Sequence, residues 1–238
     1  MNETSEGGAT FTISLGLAFI GGYADASSYL IARIFTGHIT GNCVLATVSA
    51  ASKDWFLTLD RLLGVIVFLA GILVSLILNR FVPIRLRRYS LAIAMFIEVL
   101  LIVSGSLLVI NRANNELFIV CMCLALGIQN GALDKTNGIG VHSTYMTGMV
   151  TTLVQKSFDR YSSKRSSRED SSKDPARLSI QVLAPMWTSF IFGALTGAVI
   201  VSSFHSIGLL GIVVPLVLLI CAEMRTKVSV LPRVEILT

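Results

Sequence analysis

Long apolar runs separated by short polar segments dominate the chain. The longest runs occupy residues 11–34, 62–78, 90–110, 117–133, 178–204 and 207–221. A helix needs roughly 20 mostly apolar residues to cross the ~30 Å hydrocarbon core of a bilayer, and these runs approach or exceed that length. The pattern therefore predicts an all-α membrane protein with six transmembrane helices.

Two shorter apolar runs, residues 43–52 and 145–153, each follow a polar motif that contains glycine. The first motif reads Phe-Thr-Gly-His-Ile-Thr-Gly-Asn over residues 35–42, and the second reads His-Ser-Thr-Tyr-Met-Thr-Gly-Met over residues 142–149. Ten residues of helix rise only about 15 Å, half of a bilayer. We therefore expect two half-length elements, broken or re-entrant, that begin at matching Thr-Gly pairs.

The basic residues favour elements that enter the membrane and return to the same face. With two returning elements, one face receives fifteen Lys and Arg residues and the other receives three, Lys53, Arg61 and Arg112. Cytoplasmic loops carry such an excess, so both termini are expected in the cytoplasm. Three crossings in each half give the halves opposite orientations. This predicts an inverted repeat, the usual plan of secondary transporters, with residues 1–110 as the first membrane repeat and residues 111–238 as the second.

Composition agrees with a membrane protein. Hydrophobic residues make up 53% of the chain, charged residues only 14%, and the mean hydropathy is +0.75, whereas soluble domains contain about 25% charged residues. The net charge of +5 comes largely from short loops between apolar runs, so the expected partner is the lipid bilayer and not nucleic acid. Residues 155–177 are rich in Ser, Lys and Arg and are expected to form a flexible cytoplasmic linker inside the second repeat.

The first ten residues contain no Lys or Arg. A secretory signal requires a basic segment before its apolar core, so the first apolar run is expected to be retained as a helix. We expect a multi-pass protein of the plasma membrane or inner membrane.

The two Thr-Gly motifs and the end of the fifth apolar run carry the candidate binding residues. A half-helix start directs unpaired N–H groups and a positive dipole end toward the membrane interior, where they attract anions. Close packing of small residues, or capping of helix ends, is the alternative explanation. The candidate solute-binding residues are Thr36, His38, Thr40, Gly41, Asn42, Gln129, Asn130, Thr144, Thr147 and Gly148.

Asp25 is the most informative ionisable residue, since an acid inside an apolar run is costly and usually faces a cavity or a partner. It is a candidate for carrying a proton or coupling ion, for pairing with Arg33, or for bonding His38, and purely structural pairing is the competing account. Glu98 also lies inside an apolar run, where a single acid either joins helices or has a functional role.

No enzyme motif is present. The chain contains no paired-His zinc helix, no phosphate-binding loop and no Gly-x-Ser-x-Gly sequence. Its four cysteines lie within or beside apolar runs and are expected to be buried free thiols, and Cys121 and Cys123 point to different sides of a helix, which argues against a metal pair. We expect no enzymatic activity, no cofactor and no metal.

The motifs together resemble those of the YoaK family of uncharacterised membrane proteins. The resemblance rests on Gly21-Gly22-Tyr23-Ala24-Asp25, on residues 35–42, on Gly127-Ile128-Gln129-Asn130-Gly131 and on Thr147-Gly148. This chain departs from the family pattern at Met149, where a second Asn would complete the repeat, and at Gly131, which replaces Ala. The resemblance implies a compact polytopic protein without an assigned function.

These observations predict a secondary transporter or permease for a small anionic or weak-acid solute, with its site at the two Thr-Gly half-helix starts. The alternative is a membrane scaffold or assembly partner whose small-residue faces dock other helices. A homodimer is compatible with the small size of the chain.

Overall fold

The chain forms a bundle of helices in the computed structural model, which describes residues 3–81, 83, 89–112, 114–133, 135–136, 139–140, 146–165 and 175–226. Within those residues the helices are α1 (Glu3–Ala32), α2 (Ile39–Ala51), α3 (Trp55–Phe81), α4 (Ser90–Ile110), α5 (Asn115–Ala132), α6 (Met146–Arg165), α7 (Pro175–Phe204) and α8 (Val213–Thr226). A 3₁₀ segment, His205–Ile212, joins α7 to α8, and β1 (Lys135–Thr136) pairs with β2 (Ile139–Gly140) in a minimal antiparallel ladder.

Four helical segments of the described chain are long and apolar enough to cross a membrane. They are α3, α4, α5 and the continuous helical stretch Arg177–Arg225. Large apolar side chains on their outer surfaces, such as Ile66 and Leu73 of α3, are more than half exposed. Contiguous exposed apolar surface of this kind is what lipid requires. The chain is therefore an all-α integral membrane protein.

The two predicted half-length elements have different outcomes. α2 is 13 residues long, about 20 Å, so the first element is short as expected. α6 extends for 20 residues, and the predictions that the second run ends at residue 153 and that a flexible linker begins at residue 155 are wrong over residues 155–165. Gln, Lys and Arg are good helix formers, and the Ser157 hydroxyl is satisfied by the Leu153 carbonyl one turn back. The segment between α6 and α7 lies outside the described residues.

Glycines bring the backbones of α1 and α7 into contact. A Cβ atom added at Gly22 would lie 2.0 Å from the carbonyl oxygen of Phe190, and one added at Gly193 would lie 1.9 Å from that of Phe19. No side chain fits at either position. Small residues therefore set the separation of these two helices, as in many membrane helix pairs.

Helices α3 and α5 make a second crossing of the same kind. A Cβ atom added at Gly127 would lie 2.3 Å from the carbonyl oxygen of Phe68, and one added at Gly71 would lie 2.6 Å from that of Leu124. Eleven of the 18 residues of α5 are buried. The core therefore lies around α5, between α3 and α4, and continues along α1.

The predicted span over residues 207–221 is not a single α-helix. His205 takes a positive φ of 54°, and the chain continues as the 3₁₀ segment before α8 begins at Val213. The buried hydroxyl of Tyr23 on α1 donates a hydrogen bond of 2.5 Å to the carbonyl of Gly208. Helix α1 thus contacts the chain where α7 gives way to α8.

Candidate functional site

The chain turns back into the bundle directly after α1. The helix ends at Ala32, and Arg33 takes the left-handed conformation with a φ of 61°, which reverses the chain at a helix end. The following loop brings Thr36 beside Asp25, which precedes the helix end by seven residues and so lies about 10 Å inside it. The first motif therefore begins with a loop that turns back and packs against α1.

The carboxylate of Asp25 is surrounded by donors from this loop. Its Oδ1 accepts hydrogen bonds from the backbone N–H of Thr36 at 2.8 Å, the Thr36 hydroxyl at 3.0 Å and the backbone N–H of Gly37 at 2.7 Å. Its Oδ2 lies 2.5 Å from Nδ1 of His38. We call these four groups the Asp25 donor set. Oδ1 thus accepts from two N–H groups and a hydroxyl, whereas Nδ1 of His38 donates to Oδ2 or accepts from it according to the tautomer of the ring. Asp25 itself is 3% exposed.

His38 connects Asp25 to a more open part of the structure. Its side chain is 33% exposed, compared with 5% for that of Asp25. The imidazole ring lies between Phe35 and Phe190, with ring centroids 5.7 and 5.6 Å away. Of the interactions considered for Asp25, the structure has the His38 bond, and the exposed Arg33 makes no ion pair with Asp25 among the described residues.

Asn42 holds the loop and does not face an open site. Its Oδ1 accepts from the backbone N–H of Phe35 at 2.9 Å, and its Nδ2 donates to the carbonyl of the same residue at 2.6 Å. Gly41 leaves room for the Phe35 ring, because a Cβ atom there would lie 3.2 Å from it. Thr40 lies exposed in the first turn of α2. These three candidates therefore surround the loop without contacting Asp25 in the described hydrogen bonds.

Arg61 fixes the position of α2 and was not identified as a site residue from the sequence. It was counted with the polar segments of one face, but it lies inside α3 and is 6% exposed. Its guanidinium donates to the carbonyl of Leu45 at 2.5 Å, to that of Arg33 at 3.3 Å and to the hydroxyl of Ser49. The signal that could have identified it is an arginine seven residues into a long apolar helix.

Of the two polar candidates on α5, Gln129 bonds a neighbouring helix and Asn130 bonds its own helix. Nε2 of Gln129 donates to the carbonyl of Leu17 on α1 at 3.0 Å. Nδ2 of Asn130 donates to the carbonyl of Leu126 in its own helix at 2.9 Å. Both side chains are buried.

The second Thr-Gly motif lies at the start of α6. Thr147 is exposed and Gly148 is partly buried, and the Gly148 carbonyl accepts from the Thr152 hydroxyl at 3.0 Å. Thr144 lies outside the described residues. In the described part of the chain, α2 packs chiefly on α3 and α6 on α7, and no hydrogen bond joins Thr147 or Gly148 to the first motif.

A wide cavity of about 1170 Å³ opens at the end of the bundle where α1 and α7 finish. Leu30 and Ile31, on the last turn of α1, line its wall, and Asp60, Arg112, Glu116 and His205 provide charged or titratable groups. The cavity therefore lies beside the last turn of α1, the helix end from which the loop continues.

The described residues contain no group of three or more His, Cys, Asp or Glu side chains arranged to hold a metal ion. The cysteines are free, but only Cys123 is buried; Cys43 and Cys221 are exposed on the surface of the bundle, so the prediction that all are buried is wrong. The sequence could not distinguish a core-facing cysteine from a lipid-facing one, because both lie in apolar runs.

The site resembles an anion receptor that is occupied by the chain's own carboxylate. Two backbone N–H groups, a hydroxyl and an imidazole converge on one small volume, and charge-assisted hydrogen bonds of this kind are about twice as strong as neutral ones. Loss of the negative charge on Asp25 would free these donors for another anion.

Comparison with known proteins identifies the family. The family described as "Protein of unknown function (DUF1275)" matches residues 13–222. The UPF0700 transmembrane protein YoaK of Bacillus subtilis (strain 168) is 25% identical over 142 residues, which cover 58% of this chain and 63% of that protein. The chain thus aligns with less than two thirds of the length of this relative. No solved structure matches the chain significantly. The chain therefore belongs to the DUF1275 family of proteins of unknown function, and it is similar to the transmembrane protein YoaK.

Proposed function

We propose that the protein is a secondary transporter for a small anionic or weak-acid solute, with Asp25 as its proton-coupling residue. The observation that carries the proposal is the Asp25 donor set, a site for one carboxylate inside a re-entrant loop. When Asp25 takes up a proton, it no longer needs these donors, and the carboxylate of a solute can replace it. One proton and one anion then occupy the site together.

The partly exposed His38 supplies the route for the proton. Nδ1 of its imidazole contacts Asp25, while the side chain reaches a less buried environment. Histidine exchanges protons near neutral pH. The proton therefore reaches Asp25 through the ring, without requiring Asp25 itself to meet water.

An inverted repeat of residues 1–110 and 111–238 is part of the proposal, and the packing supports it. The first long helix of each proposed half crosses a helix of the other half through glycines: α1 meets α7, and α5 meets α3. The short helix of the first half packs on the helix that follows it, as α6 packs on α7. Inverted repeats of this kind underlie alternating access in many transporters.

We further propose six crossings with both termini in the cytoplasm. The support is the unequal division of basic residues, because cytoplasmic loops are rich in Lys and Arg. The cavity beside the end of α1 would then open to the opposite side of the membrane and give solute access to the re-entrant loop.

The experiment is uptake of radiolabelled carboxylates, among them succinate and lactate, into proteoliposomes that contain the full chain. We expect an inward proton gradient to drive accumulation of at least one of them. The Asp25→Asn variant should retain exchange of the labelled anion but lose accumulation driven by the gradient. Asp159→Asn, which changes an exposed acid on α6, serves as the matched control. Uptake by Asp25→Asn with unchanged pH dependence would contradict coupling at Asp25.

If no carboxylate is transported, and substitutions in the loop change only the abundance or the assembly of the protein, the protein functions as a scaffold. Nothing in the described packing favours it, since the closest glycine contacts join helices of the same chain. These small-residue faces are already covered within the protomer.

A further inference from the structure

Glu98 is a fully buried acid that the proposed transport site does not use. It lies on α4 with 0% of its surface exposed. Neither carboxyl oxygen has a hydrogen-bond partner among the described residues. Asp25, by contrast, has four donors. The two acids thus differ in their hydrogen bonding: the carboxyl group of Asp25 has several partners, and that of Glu98 has none among the described residues.

Among the described residues, the surroundings of Glu98 provide no positive charge. On α4 itself, the neighbours one turn away are all apolar: Ala94, Met95 and Ile102 are buried and Leu101 is partly buried. No Lys or Arg occurs in this helix. No described basic group lies within 4.0 Å of the Glu98 carboxyl oxygens. The acid is therefore without a counterion in the described structure.

Several elements of the described chain pack against α4. They are α5, α8, the 3₁₀ segment and, less closely, α3. Of their basic groups, Arg225, Arg80 and His205 are exposed, and Arg61 is engaged at α2. These elements contain no Tyr or Lys, and their other titratable groups are Glu116, Cys121, Cys123, Cys221, Glu223 and Asp60.

An ionised carboxylate in this position would carry the full cost of desolvation, which is several kcal/mol even after relaxation. A neutral acid in the same place costs far less. We propose that Glu98 is a membrane-embedded proton-binding site that holds its proton in this conformation. The inference goes beyond the proposed function, because it requires no solute and no transport.

A lipophilic carbodiimide tests this directly, since it reacts with protonated carboxyl groups inside a membrane. The acid adds across one C=N bond: its oxygen bonds to the central carbon and its proton moves to nitrogen. The acyl group then migrates from oxygen to nitrogen and leaves a stable N-acylurea. No group leaves and no electrons are transferred, so the product is a simple adduct.

The full chain in liposomes is treated at neutral pH with dicyclohexylcarbodiimide or with a water-soluble carbodiimide, and modified residues are mapped by mass spectrometry. We expect dicyclohexylcarbodiimide to modify Glu98 about tenfold more than the exposed Glu116, because burial without a counterion favours the neutral acid. The water-soluble reagent should show the reverse preference. An unmodified Glu98, or equal modification of Glu98 by both reagents, would overturn the proposal.

The Glu98→Gln variant gives an independent measurement, because an amide resembles the neutral acid. We expect its unfolding temperature in detergent to stay within about 2 °C of the parent chain. A large decrease would mean that an ionised, paired carboxylate had been lost, and would also overturn the proposal. Neither result depends on uptake of a solute, so failure here is distinct from failure of the transport proposal.

Discussion

Asn42 closes a two-bond ring with the backbone of Phe35, accepting from its N–H and donating to its carbonyl. Asn42 therefore links the start of α2 to the loop that precedes it. Replacing Asn42 with Ala removes both bonds. Among the described contacts, the partly buried N–H of Phe35 then has no partner, and its carbonyl keeps only the Cys123 thiol at 3.9 Å. We expect a loss of about 2 kcal/mol in stability, measured by thermal unfolding of the purified protein in detergent.

Thr47→Ala is the matched control for this prediction, since it changes an exposed residue of α2 whose hydroxyl donates to the Val44 carbonyl of the same helix. Equal unfolding temperatures for Asn42→Ala and Thr47→Ala would contradict a stabilising role of Asn42.

The Asp25–His38 contact predicts energetic coupling between the two side chains. Asp25→Asn and His38→Gln should each lower stability, and the double variant should lower it by less than the sum of both. We expect a coupling free energy of about 1–3 kcal/mol, the usual range for residues in one hydrogen-bond network. Thermal unfolding of the four proteins provides the measurement. Additive effects would mean that the contact contributes nothing to the fold.

The hydrogen bonds of Arg61 form a second network that does not include Asp25, and we expect it to stabilise the fold. The change Arg61→Met keeps most of the aliphatic length and removes the donors to the carbonyls of Leu45 and Arg33. We expect a decrease of about 3 kcal/mol in unfolding free energy, because two partly buried carbonyls and the buried Ser49 hydroxyl lose a charged donor. Arg80→Met, at the exposed end of the same helix, should have little effect. A small change for both variants would contradict this role.

Helices α3 and α5 contact each other at glycines, so we expect even a methyl group at Gly127 to destabilise the protein. Gly127→Ala directs a methyl group at the Phe68 carbonyl, a backbone atom that cannot move alone. We expect overpacking to cost about 1–3 kcal/mol and to lower the yield of folded protein. The control is Gly16→Ala, whose methyl meets only the side-chain end of Leu219. If both variants unfold at the same temperature, close backbone contact is not what limits position 127.

Membrane sidedness is tested by single cysteines in a chain whose native cysteines have been replaced. Ser52→Cys follows α2, and Ser162→Cys lies near the end of α6; both positions are exposed. The unequal distribution of basic residues predicts that an impermeant thiol reagent labels Ser52→Cys from outside and Ser162→Cys only after the membrane is opened. Labelling of both from one side would contradict the inverted repeat.

The sequence predicted the helices whose positions depend on the local pattern of apolar residues. Apolar length identified α4 with its observed bounds, residues 90–110, because a spanning helix requires an uninterrupted apolar segment. The short α2 was predicted for the same reason. The helical continuation of α6 was not, since a polar run without apolar periodicity resembles a loop although its residues form helices well.

The partners of the polar residues could not be predicted, because they depend on where the chain returns in space. Asn42 was expected to contact a solute, but the reversal at Arg33 brings it to Phe35 instead. Gln129 similarly bonds the carbonyl of Leu17, which is 112 residues away along the chain. Asp25 was recognised as unusual from its apolar surroundings, whereas the choice between His38 and Arg33 required the tertiary structure.

The carboxylate of Asp25 and the donors that hold it belong to one chain, only eleven to thirteen residues apart. Asp25 is thus a tethered competitor for any anion that the loop can bind, and tethering over a short distance gives effective concentrations of at least about millimolar. Under the proposed mechanism, a carboxylate solute binds the loop only when Asp25 carries a proton and no longer occupies the donors. Resting occupancy by Asp25 would also keep the loop closed when no proton is bound, so that anions do not leak through the protein.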